Sequence, residues 1–519
     1  MNFTNIEIPF DEAENYFKPN NKEKLNKLFY KEKNYTKLLQ DTTYFLIGDK
    51  GSGKTTYCAY FCNNTIENIR SKRYEINVDD YNKIIQMKRD NKLNYTHYIT
   101  LWKAILLTKL LATIEDSEIG LFNSGALTKI RDTLAEYNFT KITMDTFSPV
   151  SMMDNEKFFS NISSELSNSF TKLDSKLEEE YLTQHTIEKH IYEDNWQKFI
   201  NEIAQDLEKL RLKNHHYLFI DGIDTRPYDI PYNEYKECIY PLVRAVYELN
   251  TDILSRIKER KKGRLQIVLL TRLDIFLNAN LSNSGSKISD NSAFLDWNIS
   301  NSNQYKNTPL YALVNNMLVA GCSDGEQHTW DDFFDFKINM GKYHSNSFDY
   351  FLRLSTCKPR DFVKLLKICK EQCLSANKNN PDSEIITSDL FRKAYSTYYA
   401  DTLRTALSFY YSPDQIKLIF NFIKAFKRCR FTYKQYLIIW DNFADKESLN
   451  KLFDDSFDFL EFMFNFNIIG LVEKKNYYRW KYRECSIANY DYSIEKNLLN
   501  DDSQFIFHTA AEKEFGLYL

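Results

Sequence analysis

Gly48-Asp49-Lys50-Gly51-Ser52-Gly53-Lys54-Thr55 stands between the apolar run Thr43–Ile47 (TYFLI) and a helix-forming stretch that continues from Thr56 through YCAYFCNNTI. It satisfies G-x-x-x-x-G-K-[ST] at every fixed position, in the strand–turn–helix setting that gives the pattern its meaning. The glycines let the backbone turn with its N–H groups facing inward, and the helix N-terminus adds positive potential. In such a nest Lys54 reaches the β- and γ-phosphates of a nucleotide, and the Thr55 hydroxyl joins the shell of a Mg²⁺ ion. The expected ligands are therefore ATP and Mg²⁺, held by residues 48–56.

Three further stretches belong with this loop. His215–Asp224 (HHYLFIDGID) is an apolar strand ending in Asp221. A carboxylate at that strand end suits Mg²⁺, so Asp221 is expected as a metal ligand beside Thr55. Asp224 either orients or deprotonates the attacking water, or caps the next turn. Leu265–Leu270 (LQIVLL) is a second apolar strand, ending in Thr271-Arg272. Arg272 is either a sensor of the γ-phosphate or part of a surface ion pair. Cys357-Lys358-Pro359-Arg360-Asp361 precedes the amphipathic FVKLLKIC. Proline is ordinary helix-start chemistry, and the alternative is nucleotide contact by Arg360 and the Pro359 backbone.

Apolar strands separated by helices predict an α/β fold, a parallel sheet with helices on both faces. Tyr74–Val78 (YEINV) is a candidate second strand and Leu101–Ile114 a buried helix. The separation of Lys54 from Asp221 exceeds one strand–helix–strand step, so a helical insertion is expected at about 115–200. Asn278–Asn303, rich in Asn and Ser, reads as an irregular loop or insertion. The expected divisions are a helical lead-in at 1–40, a nucleotide-binding core at 41–308, and a helical lid at 309–375. A helical, winged-helix-like domain follows at 384–519, from helices leading into a hairpin of Ile468–Glu473 and Tyr477–Tyr482. Ala376–Ser383 is the linker.

The 519 residues are 43% hydrophobic, 15% aromatic and 27% charged, a composition that excludes a disordered chain. No apolar run approaches the ~18–20 residues of a membrane span, and the acidic, polar N-terminus is unlike a signal peptide. A cytoplasmic location without membrane contact is expected. The net charge of −3 gives no global attraction to nucleic acid. Lys258–Arg264 and Lys424–Arg430 are local basic patches, either solvated helix faces or DNA contacts. The cysteines, including Cys58/Cys62 and Cys369/Cys373, read as reduced thiols, since no His or further Cys pair completes a metal site.

At the four elements above the chain resembles the STAND and AAA+ branch of P-loop NTPases. DGID is similar to the DGxDE of NACHT-type strands, LLTR to their sensor strand, and KPR to the lid's GxP contact. The segment Leu273–Trp297 resembles one found in bacterial P-loop ATPases, a group often associated with antiphage defence. The resemblance implies an ATPase switch controlling oligomer assembly or recruitment of a partner effector. The chain departs from the pattern where Thr225 follows Asp224 in place of Glu, and where no Glu adjoins Asp221. Slow hydrolysis or a nucleotide-state switch fits that departure. A DNA-acting loader or motor using the winged helix, and a scaffold with structural nucleotide, are the alternatives.

Overall fold

The computed structural model describes residues 2–89, 95–115, 124–137, 196–298, 302–322, 327–340, 343–473, 477–484 and 492–518. Most of the expected insertion at about 115–200 lies outside this set; within it, Ser124–Glu136 and 196–207 are helical.

Five strands form the central sheet: β1 (Phe45–Ile47), β2 (Ile69–Glu75), β3 (His215–Asp221), β4 (Leu265–Thr271) and β5 (Ser292–Phe294). Their order is β2-β3-β4-β1-β5 and every pairing is parallel. The central strands β1, β3 and β4 are buried along their whole length, as their unbroken apolar runs require when helices cover both faces. Alternation divides their side chains. Leu46, Phe219, Val268 and Leu270 pack with the helix Lys54–Asn63 on one face. Phe45, Ile47, Leu218, Ile220, Ile267 and Leu269 pack with the helices Tyr95–Leu111 and Tyr232–Glu248 on the other. This is the α/β architecture of a P-loop NTPase-like core.

Two strand expectations need correction. The second strand is Ile69–Glu75, ahead of the expected Tyr74–Val78. It is an edge strand whose buried positions, Ile69, Ser71 and Tyr74, form no apolar run, so its charged sequence, IRSKRYE, conceals it. Asn278–Asn303 is not wholly irregular, because Ser284–Asn291 is helical and β5 completes the sheet beside β1. Three residues, SAF, carry too little pattern to announce a strand. Their partner is what makes them one, through the register Phe45↔Ser292 to Ile47↔Phe294.

The first face of the sheet continues into one apolar cluster that reaches the C-terminal residues. Helices Pro309–Gly321, Pro359–Ser375 and Asp389–Leu407 lie in it, with a small antiparallel hairpin, β6 (Lys337–Met340) and β7 (Tyr343–Asn346). Beyond them the order is helix Pro413–Ala425, β8 (Arg430–Thr432), helices Tyr433–Asp441 and Ser456–Asn465, then β9 (Ile469–Val472), β10 (Tyr478–Arg479) and β11 (Gln504–Phe507). The antiparallel sheet runs β10-β9-β11-β8. The expected hairpin is present as β9 and β10, but its second arm is short and gives way to a helical turn at Lys481–Glu484. The strand between β9 and β8 is β11, which the sequence reading passed over. Among the described residues no helix is long and apolar enough to cross a membrane.

Candidate nucleotide site

β1 ends beneath the loop that its sequence announces. Gly51 and Gly53 have φ of +85° and +101°, a left-handed backbone that a side chain disfavours. At Gly51 a Cβ would also stand 3.2 Å from the Arg360 Cβ. Gly53 caps the helix Lys54–Asn63. The loop is braced from outside by Trp297, whose indole Nε1–H donates to the Ser52 carbonyl at 2.8 Å.

Lys54 is buried, and its ammonium donates to the Gly48 carbonyl at 2.8 Å and the Asp49 carbonyl at 3.2 Å. It also lies 3.4 Å from Asp224 Oδ2. The Thr55 hydroxyl donates to Asp221 Oδ2 at 3.0 Å. Residues 166 positions apart in sequence therefore present an oxygen pair at one point. A hydroxyl and a carboxylate so close are a hard-oxygen donor set, which fits Mg²⁺. The buried Ser52 Oγ has no protein partner among the described residues, a spare polar atom in the loop wall that a phosphate oxygen suits.

The two aspartates differ in their electrostatics. Burial raises the Asp221 carboxyl above the usual range, although Arg73 opposes this. Burial also acts on Asp224, but Lys54, Lys50 and Arg272 outweigh it and hold that carboxyl below the usual range. Asp224 is thus the more firmly ionised. Lys358, 3.2 Å away, lowers Asp49 in the same sense.

These groups line a cavity of about 540 Å³, within the range of small-ligand sites. Lys50, Ser52, Gly53, Lys54, Thr55, Thr56, Asp221 and Asp224 border it, and so do Pro359 and Arg360. The Arg360 backbone N–H donates to the Gly51 carbonyl at 3.3 Å, so the start of the helix Pro359–Ser375 sits on the loop. Asp361 holds that start by accepting from the Thr356 N–H and hydroxyl at 2.8 and 2.7 Å.

Arg272 is placed differently. Its guanidinium forms a two-point pair with Asp274 (3.0 and 2.6 Å), donates to the Tyr410 hydroxyl at 2.5 Å and lies over the Phe409 ring. It acts on Asp224 through space and does not border the cavity.

Residues that sequence reasoning missed close the other side. Phe10, Glu12 and Glu14 come from the N-terminal segment, Phe29 from the lead-in, and Arg73 from β2. Glu12 pairs with Arg360 at 3.5 Å and Glu14 with Arg73 at 3.6 Å. Only Arg73 carried a readable signal. The alternation of β2 puts a charged residue on the inward row shared by Ile69 and Ser71, but the strand had been expected further along.

Residues 14–95 match the ORC-CDC6-like family profile; this stretch holds β1, the phosphate loop, its helix and β2. The match points to a nucleotide-binding ATPase of the AAA+ kind. Residues 310–407 match the FunZ-associated C-terminal helical domain, a span that opens in Pro309–Gly321 and closes at the end of Asp389–Leu407. No curated protein and no solved structure matches the chain.

Proposed function

We propose that this chain is a Mg²⁺-dependent, slowly hydrolysing ATPase switch of the STAND-like AAA+ kind, in which the state of the nucleotide governs assembly or the recruitment of a partner. The observation that carries the reading is a grip on Ser408–Tyr411. Arg226, two residues beyond Asp224, donates to the carbonyls of Ser408 (2.9 Å), Phe409 (2.7 Å), Tyr411 (3.3 Å) and Ile230. Arg272, at the end of β4, holds Tyr410 and covers Phe409. Ser408–Tyr411 joins the helix Asp389–Leu407 to everything that follows. The segment at the end of β3 that carries Asp221 and Asp224 therefore also holds the joint to the C-terminal region, with Arg272 at the end of the neighbouring strand beside it, a coupling suited to a two-state element.

In this reading the loop amides and Lys54 bind the phosphates, and Thr55 and Asp221 hold Mg²⁺, which neutralises phosphate charge when bound. Asp224, kept ionised by three cations, orients the attacking water or takes its proton. Phe10, Phe29, Leu313 and Met317 give the cavity an apolar end for the base. Gly222 and Thr225 stand where a second carboxylate would speed turnover, which supports a slow enzyme. The sequence resemblance supports a setting in bacterial antiphage defence, and the FunZ-associated match is compatible with it.

The test is mass measurement in solution with and without Mg²⁺–ATP, using Lys54→Ala as control. A nucleotide-dependent change in mass, lost in Lys54→Ala, is expected. An unchanged mass with detectable ATP binding would leave the scaffold reading.

A second reading, DNA binding by the C-terminal region, is favoured by one observation. Lys424, Lys427, Arg428, Arg430 and Lys434 are exposed and form no ion pair among the described residues. They lie in and beside β8, in a helix–strand–helices–hairpin order that supports a winged-helix-like domain. Against a DNA-reading role, the helix Ser456–Asn465 that precedes the hairpin carries Asp458 and Glu461 on its less buried side. Salt-dependent DNA affinity with DNA-stimulated hydrolysis would favour this reading.

A further inference from the structure

We propose that Arg73 contacts the terminal phosphate of the bound nucleotide and makes the site discriminate a triphosphate from a diphosphate; this rests on the ATP reading above. Arg272 is committed to Asp274 and Tyr410, away from the cavity. Arg73 borders the cavity, on the wall that carries Asp221.

Its surroundings are those of a cation held in reserve. Arg73 Nη2 lies 3.2 Å from Asp221 Oδ2, 3.1 Å from Glu75 and 3.6 Å from Glu14. The Asp221 oxygen it touches is the one that accepts from the Thr55 hydroxyl at 3.0 Å. The guanidinium therefore stands next to the oxygen pair that fits Mg²⁺. A divalent cation held by that pair would repel the guanidinium and compete for the same oxygen. Glu75 and Glu14 are weak alternatives, being 57% and 50% exposed and screened by water. Arg73 Nε is buried with no acceptor among the described residues, so the present arrangement leaves a donor unfilled. Phe17 lies under the guanidinium, 4.7 Å from its ring centre, and steadies the side chain as its head group turns.

A phosphoryl group supplies what the carboxylates do not. It offers several oxygens to the fork of donors, in an enclosed site where charge-assisted bonds are strong. A diphosphate leaves the terminal position empty, and Arg73 then gains nothing by leaving its carboxylates.

Calorimetric titration of the full chain with ADP and with the β,γ-imido analogue of ATP, both with Mg²⁺, tests this. Arg73→Ala should weaken the analogue about tenfold to a hundredfold while ADP affinity stays within about threefold. Arg73→Lys should restore part of the difference, because an ammonium keeps the charge but loses the fork. Equal losses for both ligands, or no loss, would overturn the proposal. If Arg73→Ala fails to fold, Glu14→Gln with Glu75→Gln provides the converse: removing the competing carboxylates should tighten the analogue relative to ADP, and an unchanged ratio overturns the proposal. Wild type that binds neither ligand would instead sink the ATP reading itself.

Discussion

The floor of the cavity and its walls are built by opposite rules. The floor is a run of consecutive residues, Lys50–Thr56, whose part in binding resides in backbone conformation, in Lys54 and in the Thr55 hydroxyl. The walls gather side chains from across the chain, as in the Glu12–Arg360 contact, whose partners are 348 positions apart. A floor of this kind forms wherever strand and helix flank it. Walls of this kind form only when the whole chain has folded, so they are the part able to report a conformational change.

Breaking the floor should have the largest effect. Lys54→Ala removes the cation buried under the loop, and nucleotide affinity should fall roughly a thousandfold, about 4 kcal/mol. Retained micromolar binding in a titration would end the phosphate-loop reading. Breaking the grip on Ser408–Tyr411 comes next. Arg226→Ala strands the carbonyls of Ser408, Phe409, Tyr411 and Ile230, at about 2–3 kcal/mol of stability. Denaturant unfolding should register that loss, and proteolysis should cut sooner near residue 410 with ATP binding retained. Cleavage at the wild-type rate would show that the joint is held by other contacts.

The floor and the walls meet at Asp224, so its substitution sharpens the comparison. Asp224→Asn should bind ATP and hydrolyse it about tenfold to a hundredfold more slowly. Undiminished turnover would remove Asp224 from catalysis. The smallest effect concerns a buried histidine that does not border the cavity. His508 is buried against Tyr399 and Trp480, and burial lowers its pKa from 6.5 to about 4. The folded state keeps the ring neutral while the unfolded chain protonates at about 6.5. Stability from this group is thus complete above pH 6.5 and is lost as pH falls towards 4. At pH 5 the loss should be about 2 kcal/mol. His508→Gln should flatten the slope of stability against pH in that window, and an unchanged slope would assign it to other groups.

How much was legible followed from how local each signal is. β1, β3 and β4 are buried on both faces, so their apolar runs stand out in the chain. β2, at the edge, and β5, three residues long, owe their existence to their neighbours and were misplaced or missed. The same holds within the site. Lys54, Thr55 and Asp221 were named from motif and strand end, and the structure brings them together. Arg272 was also named, but its guanidinium turns to Asp274 and Tyr410. Tyr410 lies 138 positions away, and no spacing rule could have paired them.

The sequence by itself determined the phosphate loop, the strands under it and the carboxylates at their ends. Backbone conformation, helix-end potential and hydrophobic runs act between near neighbours, so a short stretch suffices to specify them. Only the tertiary structure decided which arginine borders the cavity and which holds the joint. Those assignments depend on ion pairs and hydrogen bonds of about 3 Å between segments that meet only after the sheet has assembled.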